Sequence, residues 1–444
     1  TAPTRAYRFL NETLLDARLT LEVPLSDETR LVRKLRVGGS YLRNERLSQQ
    51  GFYLVLGAPG PAQWDLPGRF DMRSDGRFTS LYRPFGTFKD NDIGLNRIIG
   101  AFTMVDYALT KRLRAVGGLR GEQTNMITDI RRYYEQGLDP SDPARGTVGD
   151  VSAGGDANPD PQPARPGALD QWDFLPSINL IYKLRDDDQA PMNLRLNYFK
   201  SLARPSFREF SVVQLFDYIL GAPVYGNPKL QMTTADNYDL RIERFFRSRN
   251  NVSVSAFHKE FKNHIELVFT ASGGYTWRNA IRSSVTGVEV EGRVGILRWI
   301  EWRGNVTLMQ SQSVLRTTLL AEPVEYTTSM FGQAPYMVNS MLTFSSDSAR
   351  ASLSVSYNVQ GPKLAISNSE VNPTGIRAYE MPRHMVDITL NKSFGKHWGL
   401  RLGVRNLLNS PFRRAYQFEK GYAVDFDSYA WGTEYSVGLT YTIK

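Results

Sequence analysis

Cysteine is absent from the 444 residues, which excludes disulfide staples, thiolate metal sites and a cysteine nucleophile. Histidine is scarce: the four present, His258, His264, His384 and His397, form no His-Glu-x-x-His pair, so zinc hydrolysis is not expected. No stretch approaches the ~18 consecutive apolar residues of a membrane-spanning helix. Residues Thr1 to Leu10 lack the basic and then apolar layout of a signal peptide, so either the chain stays inside the cell or its leader lies outside these residues. Helical spacing is nowhere sustained over the ~10 residues a helix needs. Charge of one sign is also limited, since 54 Lys plus Arg against 45 Asp plus Glu leave only +9. Arg114, Arg120, Arg195, Arg241, Arg293, Arg303, Arg401 and Arg405 stand singly at alternate positions inside apolar stretches. A phosphate-tracking patch needs contiguity, so no nucleic-acid partner is expected.

What the chain does have is period two. From Ser436 it reads Ser, Val437, Gly, Leu439, Thr, Tyr441, Thr, Ile443, and from Ala351 to Val359 apolar and small polar residues alternate in the same way. Weaker versions occur at 19–25, 31–41, 113–122, 194–199, 238–246, 252–258, 288–296, 304–308, 386–394 and 400–408. About fifteen strands are expected on this spacing. Length alone suggests about three soluble domains, but the strands make one continuous all-β wall.

The connections indicate which wall. Short polar turns fall at 26–30, 110–112, 185–191, 247–250, 297–298, 346–349 and 395–397, and they alternate with long segments at about 48–97, 128–169, 205–232, 317–331, 362–379 and 411–429. Only 270–274, in a long position, is shrunken. An antiparallel up-and-down transmembrane β-barrel segregates loop lengths in this way, with tight turns at one rim and large loops at the other. Alternations of nine or more residues suit a tilted span of the bilayer. Tyr182, Phe245, Phe246, Trp299, Trp302, Phe344, Phe394 and Trp398 sit beside the short turns, as an interfacial girdle would. The stretch 137–167, with Pro140, Pro143, Pro159, Pro161, Pro163 and Pro166, cannot hold a ladder and reads as a loop.

Several phrases are more specific. SLARPSFREF at 201–210, YGNPKL at 225–230 and ADNYDLRIERFF at 235–246 are followed in order by VSVSAFHKEFKNHIE at 252–266, SSVTGVEVEGR at 283–293, APYMVN at 334–339 and LRLGVRNLLNSPFR at 400–413; GLRGEQT at 118–124 fits an earlier strand. In this order they resemble the barrel of TonB-dependent outer-membrane receptors, from about residue 113 to the end and more loosely from residue 7. The resemblance implies a 22-stranded plugged barrel, of which residues 1–444 are the last two thirds, with the plug domain and first strands upstream. It implies residence in the outer membrane of a Gram-negative bacterium and uptake of a scarce nutrient, such as an iron siderophore, cobalamin or glycan. The expected partners are TonB with its proton-driven inner-membrane motor, the protein's own plug, outer-membrane lipids and lipopolysaccharide, the small-molecule or oligomeric ligand, and a possible surface lipoprotein. A passive substrate-specific porin and a non-transporting binding or assembly barrel are the alternatives.

Physical reasons for these phrases can be given. Arg204 and Pro205 end a strand, Asn227 before Pro228 turns the chain back to the rim, and Asn406 and Asn409 close a strand where amides can satisfy free backbone groups. Glu289, Glu291 and Arg293 share a strand face opposite Val288, Val290 and Val294, and in a barrel that charged face is luminal. Arg241, Arg401 and Arg405 are expected to line the lumen as well. No catalytic, metal or cofactor site is expected, and no enzyme. Ser393 and Lys396 have Ser-x-x-Lys spacing but straddle a short turn, and Asp186 to Asp188 lack the alternate spacing of a calcium loop. Ligand contacts are expected from the loop aromatics Tyr218, Tyr225, Tyr275, Trp277, Tyr326, Phe331, Tyr416, Phe418 and Tyr422, whose ordinary alternative is packing of loop on loop.

Overall fold

A computed structural model of the chain describes residues 4–25, 33–56, 81–85, 91–131, 137, 166–187, 189–211, 213–217, 220, 222–246, 250–270, 273–319, 322–367, 377–417 and 422–443. Strand β1 (Thr4–Pro24) pairs with β2 (Arg33–Leu56), and the short β3 (Leu81–Phe85) adds to the far end of β2. The sheet continues through β4 (Asp92–Ala108), β5 (Leu113–Ile130), β6 (Gly167–Arg185) and β7 (Met192–Ala203). Helix α1 (Phe207–Phe210) and the loop strands β8 (Gln214–Asp217) and β9 (Ala222–Tyr225) precede β10 (Thr233–Phe245) and β11 (Asn251–Lys262). A second loop hairpin, β12 (Ile265–Phe269) and β13 (Tyr275–Asn279), precedes β14 (Arg282–Leu297) and β15 (Ile300–Leu319), with β16 (Glu322–Thr328) on the far end of β15. Then come β17 (Tyr336–Ser346) and β18 (Ala351–Gln360), the loop strands β19 (Lys363–Ile366) and β20 (Arg377–Glu380), and β21 (Met385–Phe394) and β22 (Trp398–Arg405). The loop strands β23 (Phe412–Gln417) and β24 (Ala423–Tyr429) lead to β25 (Glu434–Tyr441).

Leaving out the short β3 and β16, fifteen strands among the described residues form one antiparallel meander in which each pairs with the next. Among the described residues the wall is an open sheet: β1 pairs only with β2, and β25 only with β22. Many strands outrun the alternation that marks them in sequence; β1, for example, spans 21 residues where only 19–25 alternate cleanly. Three wall strands, β4, β6 and β17, carry no clean alternation. Their second face also holds large apolar residues, Ile98 and Phe102 on β4, Leu169 and Leu175 on β6, Met337 and Met341 on β17. The segments 205–232, 317–331, 362–379 and 411–429 contain α1 and short strands as well as loop.

Register gives the wall two unlike faces. One carries exposed Leu196, Leu240, Val254, Val288, Val290, Val306 and Leu308, an apolar band that a soluble protein would bury. Between its limits lie about four outward residues per strand, roughly 20 Å of tilted strand, the height of a lipid-facing band. On the short-turn side the band ends in aromatic pairs, Trp299 with Phe344 (ring centroids 6.1 Å apart) and Trp398 with Tyr441 (4.8 Å). On the opposite side it ends in Tyr198 and Tyr238 (5.2 Å apart), His258, and Tyr357 stacked on His384. Of the sequence-predicted girdle residues, Phe245 falls on the other face by register. Trp302 lies within the band over Gly292 and Gly304, where its indole donates to Ser340 Oγ at 3.0 Å. The other face is polar and is described below.

At the rim opposite the short turns the chain folds inward over the polar face. Pro205 and Ser206 start α1 with a capping box: Glu209 N donates to Ser206 Oγ (3.3 Å) while Ser206 N donates to the Glu209 carboxylate (2.7 Å). The helix thereby seats Phe207 against Gly94 and Phe210, fully buried, beside Gly167, where Thr128 Oγ1 donates to the Phe210 carbonyl at 2.8 Å. Met126 and Leu230 complete this cluster. Burying such side chains contributes about 2 kcal/mol each. Asn227 ties the segment down: its amide nitrogen donates to the Trp277 carbonyl (2.8 Å) and its side-chain oxygen accepts from Lys229 N (2.9 Å).

The loop strands form two small sheets, β12-β13-β9-β8 and β19-β20-β23-β24. They join where Ser367 N donates to the Leu267 carbonyl (3.0 Å), over a core of Val224, Leu267, Tyr275, Ile366 and Ala378. Beside this seam Glu266 is fully buried; its Oε2 accepts from Ser367 Oγ, and its Oε1 has no hydrogen-bond partner. Burial outweighs the polar contacts it has and holds its carboxyl above the usual range. His264, two residues earlier, is pushed by burial down to about 4.

Two predictions follow from the rim. A Cβ at Gly226 would meet the Ser211 carbonyl and lie 2.7 Å from that of Arg208, both backbone atoms. Gly226→Ala should therefore loosen 205–232 by about 1–3 kcal/mol, seen as faster proteolysis within that segment while the wall keeps its heat-modifiable gel migration. For Glu266, the unfolded chain releases the proton at a lower pH than the folded one. Its contribution is full below its ordinary value of 4.5 and erodes as pH rises toward its raised value. His264 acts oppositely: its contribution is full above 6.5 and is lost as pH falls toward about 4. Amide exchange over 265–270 and 273–279, corrected for intrinsic rates, should slow from about pH 5 to about pH 8 in Glu266→Gln, where His264 acts alone, and should slow less or quicken in the wild type, where Glu266 opposes it.

Candidate functional site

The polar face carries a lattice of ion pairs that register assembles from distant residues. Arg195 on β7 reaches Glu243 on β10 at 2.6 Å, Arg241 reaches Glu291 on β14 at 2.7 Å, and Arg293 reaches Glu301 on β15 at 2.7 Å. Arg204, just beyond β7, donates to Thr124 Oγ1 at 2.9 Å and pairs with Glu122 on β5. From Glu289 the lattice becomes neutral: Asn305 donates to its carboxylate (2.7 Å), Asn339 donates to Asn305 Oδ1 (2.9 Å), and Asn358 donates to Asn339. On β17 and β18 the polar face holds no charge at all, only Asn, Gln, Ser, Thr and Met. Of the sequence-predicted wall residues, Arg241, Glu289, Glu291 and Arg293 come together on neighbouring strands. Arg401 and Arg405 share their face on β22 but lie apart from them, Arg405 being 3.7 Å from Glu434. Glu243, Glu122 and the three asparagines are not singled out by sequence, and Arg195 stands out only as one of the isolated arginines, because only register brings them to this face.

The predicted loop aromatics divide. Tyr275, Trp277, Phe331 and Tyr416 converge at the junction of the two small sheets, with Trp277 and Phe331 edge to face at 6.3 Å. Tyr275 is buried there, and burial raises its phenol, as it does that of Tyr416. Tyr225 lies one strand away, its carbonyl accepting from Thr276 Oγ1 at 3.2 Å, and its ring flanks Gly274. Tyr326 packs in a separate cluster with Val268, Ala280 and Leu315. Tyr422 is exposed. Tyr218 and Phe418 lie outside the described residues.

At that junction lies a cavity of about 460 Å³, lined by Trp277, Phe331 and Phe412 and rimmed by Arg208, Lys363 and Arg414. Each rim cation has an acid beside it: Asp217 at 3.0 Å, Glu380 at 3.0 Å and Asp427 at 2.6 Å. The indole Nε1 of Trp277 and the Nε of Arg208 are buried without a hydrogen-bond partner. Both are donors only. The cavity therefore offers flat apolar surface ringed by cations, suited to an organic ligand with an aromatic or apolar body. Among the described residues no group of three or more His, Cys, Asp and Glu could hold a metal ion. A larger concavity, about 830 Å³, borders Leu196, Leu240, Val288 and Leu308 of the apolar band and has no Lys or Arg in its lining.

Solved structures share this architecture. The siderophore receptor PiuA from Acinetobacter baumannii superposes with a TM-score of 0.62 at 11% identity over 98% of this chain and 56% of its own. The copper transporter OprC gives 0.61 at 13% identity over 98% and 58%. The ferric yersiniabactin uptake receptor FyuA from Yersinia pestis gives 0.54 at 14% identity over 99% and 54%. The chain thus spans a little over half the length of each. No curated protein matches it. The family model described as TonB dependent receptor-like, beta-barrel, matches residues 5–407. The chain belongs to the TonB-dependent receptor β-barrel family, whose members are outer-membrane transport receptors of Gram-negative bacteria.

Proposed function

We propose that this chain is the larger part of the wall of an active importer that takes a scarce organic nutrient across the outer membrane. The ligand is held at the outer rim by the cavity between the two small sheets and then passes along the polar face, which lines the lumen with Arg241, Glu289, Glu291, Arg293, Arg401 and Arg405. TonB, driven by the inner-membrane proton gradient, acts on a plug domain to open the path. The observation that carries this reading is the cavity's position: it sits on the long-loop rim, over the polar face, in folded sheets that a simple pore does not need. The free edges of β1 and β25 also favour further strands, because a bilayer leaves no backbone group unpaired.

Siderophore and copper are the cargoes named for the structural neighbours. The cavity's aromatic faces and rim cations favour an organic chelate over a bare metal ion. The test uses the full-length receptor in a deletion strain, with ferric siderophores, cobalamin, copper and oligosaccharides as probes. One organic probe should restore uptake, and uptake should vanish without TonB. Trp277→Ala and Arg208→Gln should each weaken its binding about tenfold, ~1.4 kcal/mol. Undiminished uptake in a strain lacking TonB would instead make the protein a passive channel.

A further inference from the structure

Each cation at the rim of the cavity between the two small sheets has its own fixed acid. Lys363 stands directly opposite Glu380 across β19 and β20, and Arg414 directly opposite Asp427 across β23 and β24, so strand register itself holds those charges together. Arg208 on α1 meets Asp217 at the end of β8. Two of the acids are anchored a second time. Asp217 Oδ1 accepts from the Leu220 amide at 3.1 Å while its Oδ2 holds Arg208, and Glu380 Oε1 accepts from Gln360 Nε2 at 3.3 Å as well as from Lys363. Both belong to the cavity lining. Arg414 is buried, its guanidinium 5.8 Å from the centre of the Phe412 ring.

Among the described residues the three rim cations are thus balanced by three acids. Each pair acts as a short dipole, whose field falls off much faster than that of a lone cation. A polyanion brought against Trp277, Phe331 and Phe412 would meet an acid at nearly the distance of each cation. It would gain little net attraction and lose its hydration, and it could use Arg208 or Lys363 only by displacing an acid that is also bonded to Leu220 or Gln360. An uncharged or zwitterionic ligand escapes that cost. Its amide, hydroxyl or carbonyl groups can bond to both members of a pair without separating them, while its apolar or aromatic body covers the rings. The acids are then a repulsive element set against the wrong ligand.

We propose that Asp217 and Glu380 are specificity-determining residues that restrict the cavity to organic ligands of zero net charge and reject polyanionic ligands of the same shape. The proposal rests on the reading that this cavity captures the ligand, but not on TonB or on transport.

The test is calorimetric binding, to the full-length receptor in detergent, of two ferric chelates built on one tripodal frame: one with hydroxypyridinone arms, which is uncharged, and one with catechol arms, which is trianionic. Ring size, shape and metal match, so charge is the variable. The wild type should bind the uncharged chelate about tenfold or more tighter, and its binding of the trianion should be nearly independent of salt. In Asp217→Asn with Glu380→Gln the ratio should move by about tenfold or more toward the trianion, whose binding should then weaken as salt rises. Glu260→Gln with Glu325→Gln, an equal loss of charge at exposed positions outside the cavity, should leave the ratio within about twofold of wild type. If Trp277→Ala weakens neither chelate, the capture reading fails and this proposal with it. If Trp277→Ala does weaken binding, yet the wild type prefers the trianion or the cavity double variant keeps the wild-type ratio, the charge rule alone is overturned. No measurable binding of the uncharged chelate to the wild type would overturn it as well. Should the double variant lose its heat-modifiable migration, the wild type decides alone: a steep loss of trianion affinity with salt would reveal a net positive cavity and overturn the proposal.

Discussion

The backbone hydrogen bond is the constraint on which the rest of this structure depends. In hydrocarbon each unpaired amide or carbonyl costs several kcal/mol, so a chain that crosses by strands must pair every strand on both sides. That requirement produces the antiparallel meander, and the meander in turn makes every side chain belong to one of two faces. One face can then be wholly apolar and the other charged within the same strand, as Val288, Val290, Glu289 and Glu291 are on β14. Low overall hydrophobicity, 41% of residues, is a consequence and not an anomaly.

This coupling explains how much could be read without coordinates. Alternation is a local signal, so strands with one clean apolar face, such as β18 and β25, were legible residue by residue. β4, β6 and β17 were not, because apolar side chains occupy both of their faces; on β4 the inner Phe102 packs over Gly38 of the neighbouring strand. Turn chemistry was legible too. Asn406 and Asn409 were expected to satisfy a strand end, and both adopt positive φ while the Asn406 side chain bonds Gly432 and Ser410. Register was not legible. Arg241 and Glu291 are 50 residues apart, and Arg204, which sequence marks only as a strand end, finds Glu122 across 82 residues. The rim cavity is of that second kind. Its walls come from five separate segments, and aromatic content alone could not tell Trp277, which lines it, from Tyr326, which packs elsewhere.

The two polar regions differ in what they offer a solute. On the wall, Arg195, Arg241 and Arg293 already have carboxylates, and the asparagine ladder donates along itself toward Glu289. A ligand meeting these residues would have to break an internal bond for each one it made, so binding to them gains little. Elsewhere on the polar face Asn44, Arg46, Asn96 and Asn179 keep buried polar atoms without a partner, so the wall is not spent uniformly. The rim cavity adds the flat apolar area of Trp277, Phe331 and Phe412, where covering ligand surface yields affinity without breaking an ion pair. Transport needs capture at the rim and then a passage that does not hold what it receives, and on the proposed path the cavity precedes the ion-paired stretch of the wall.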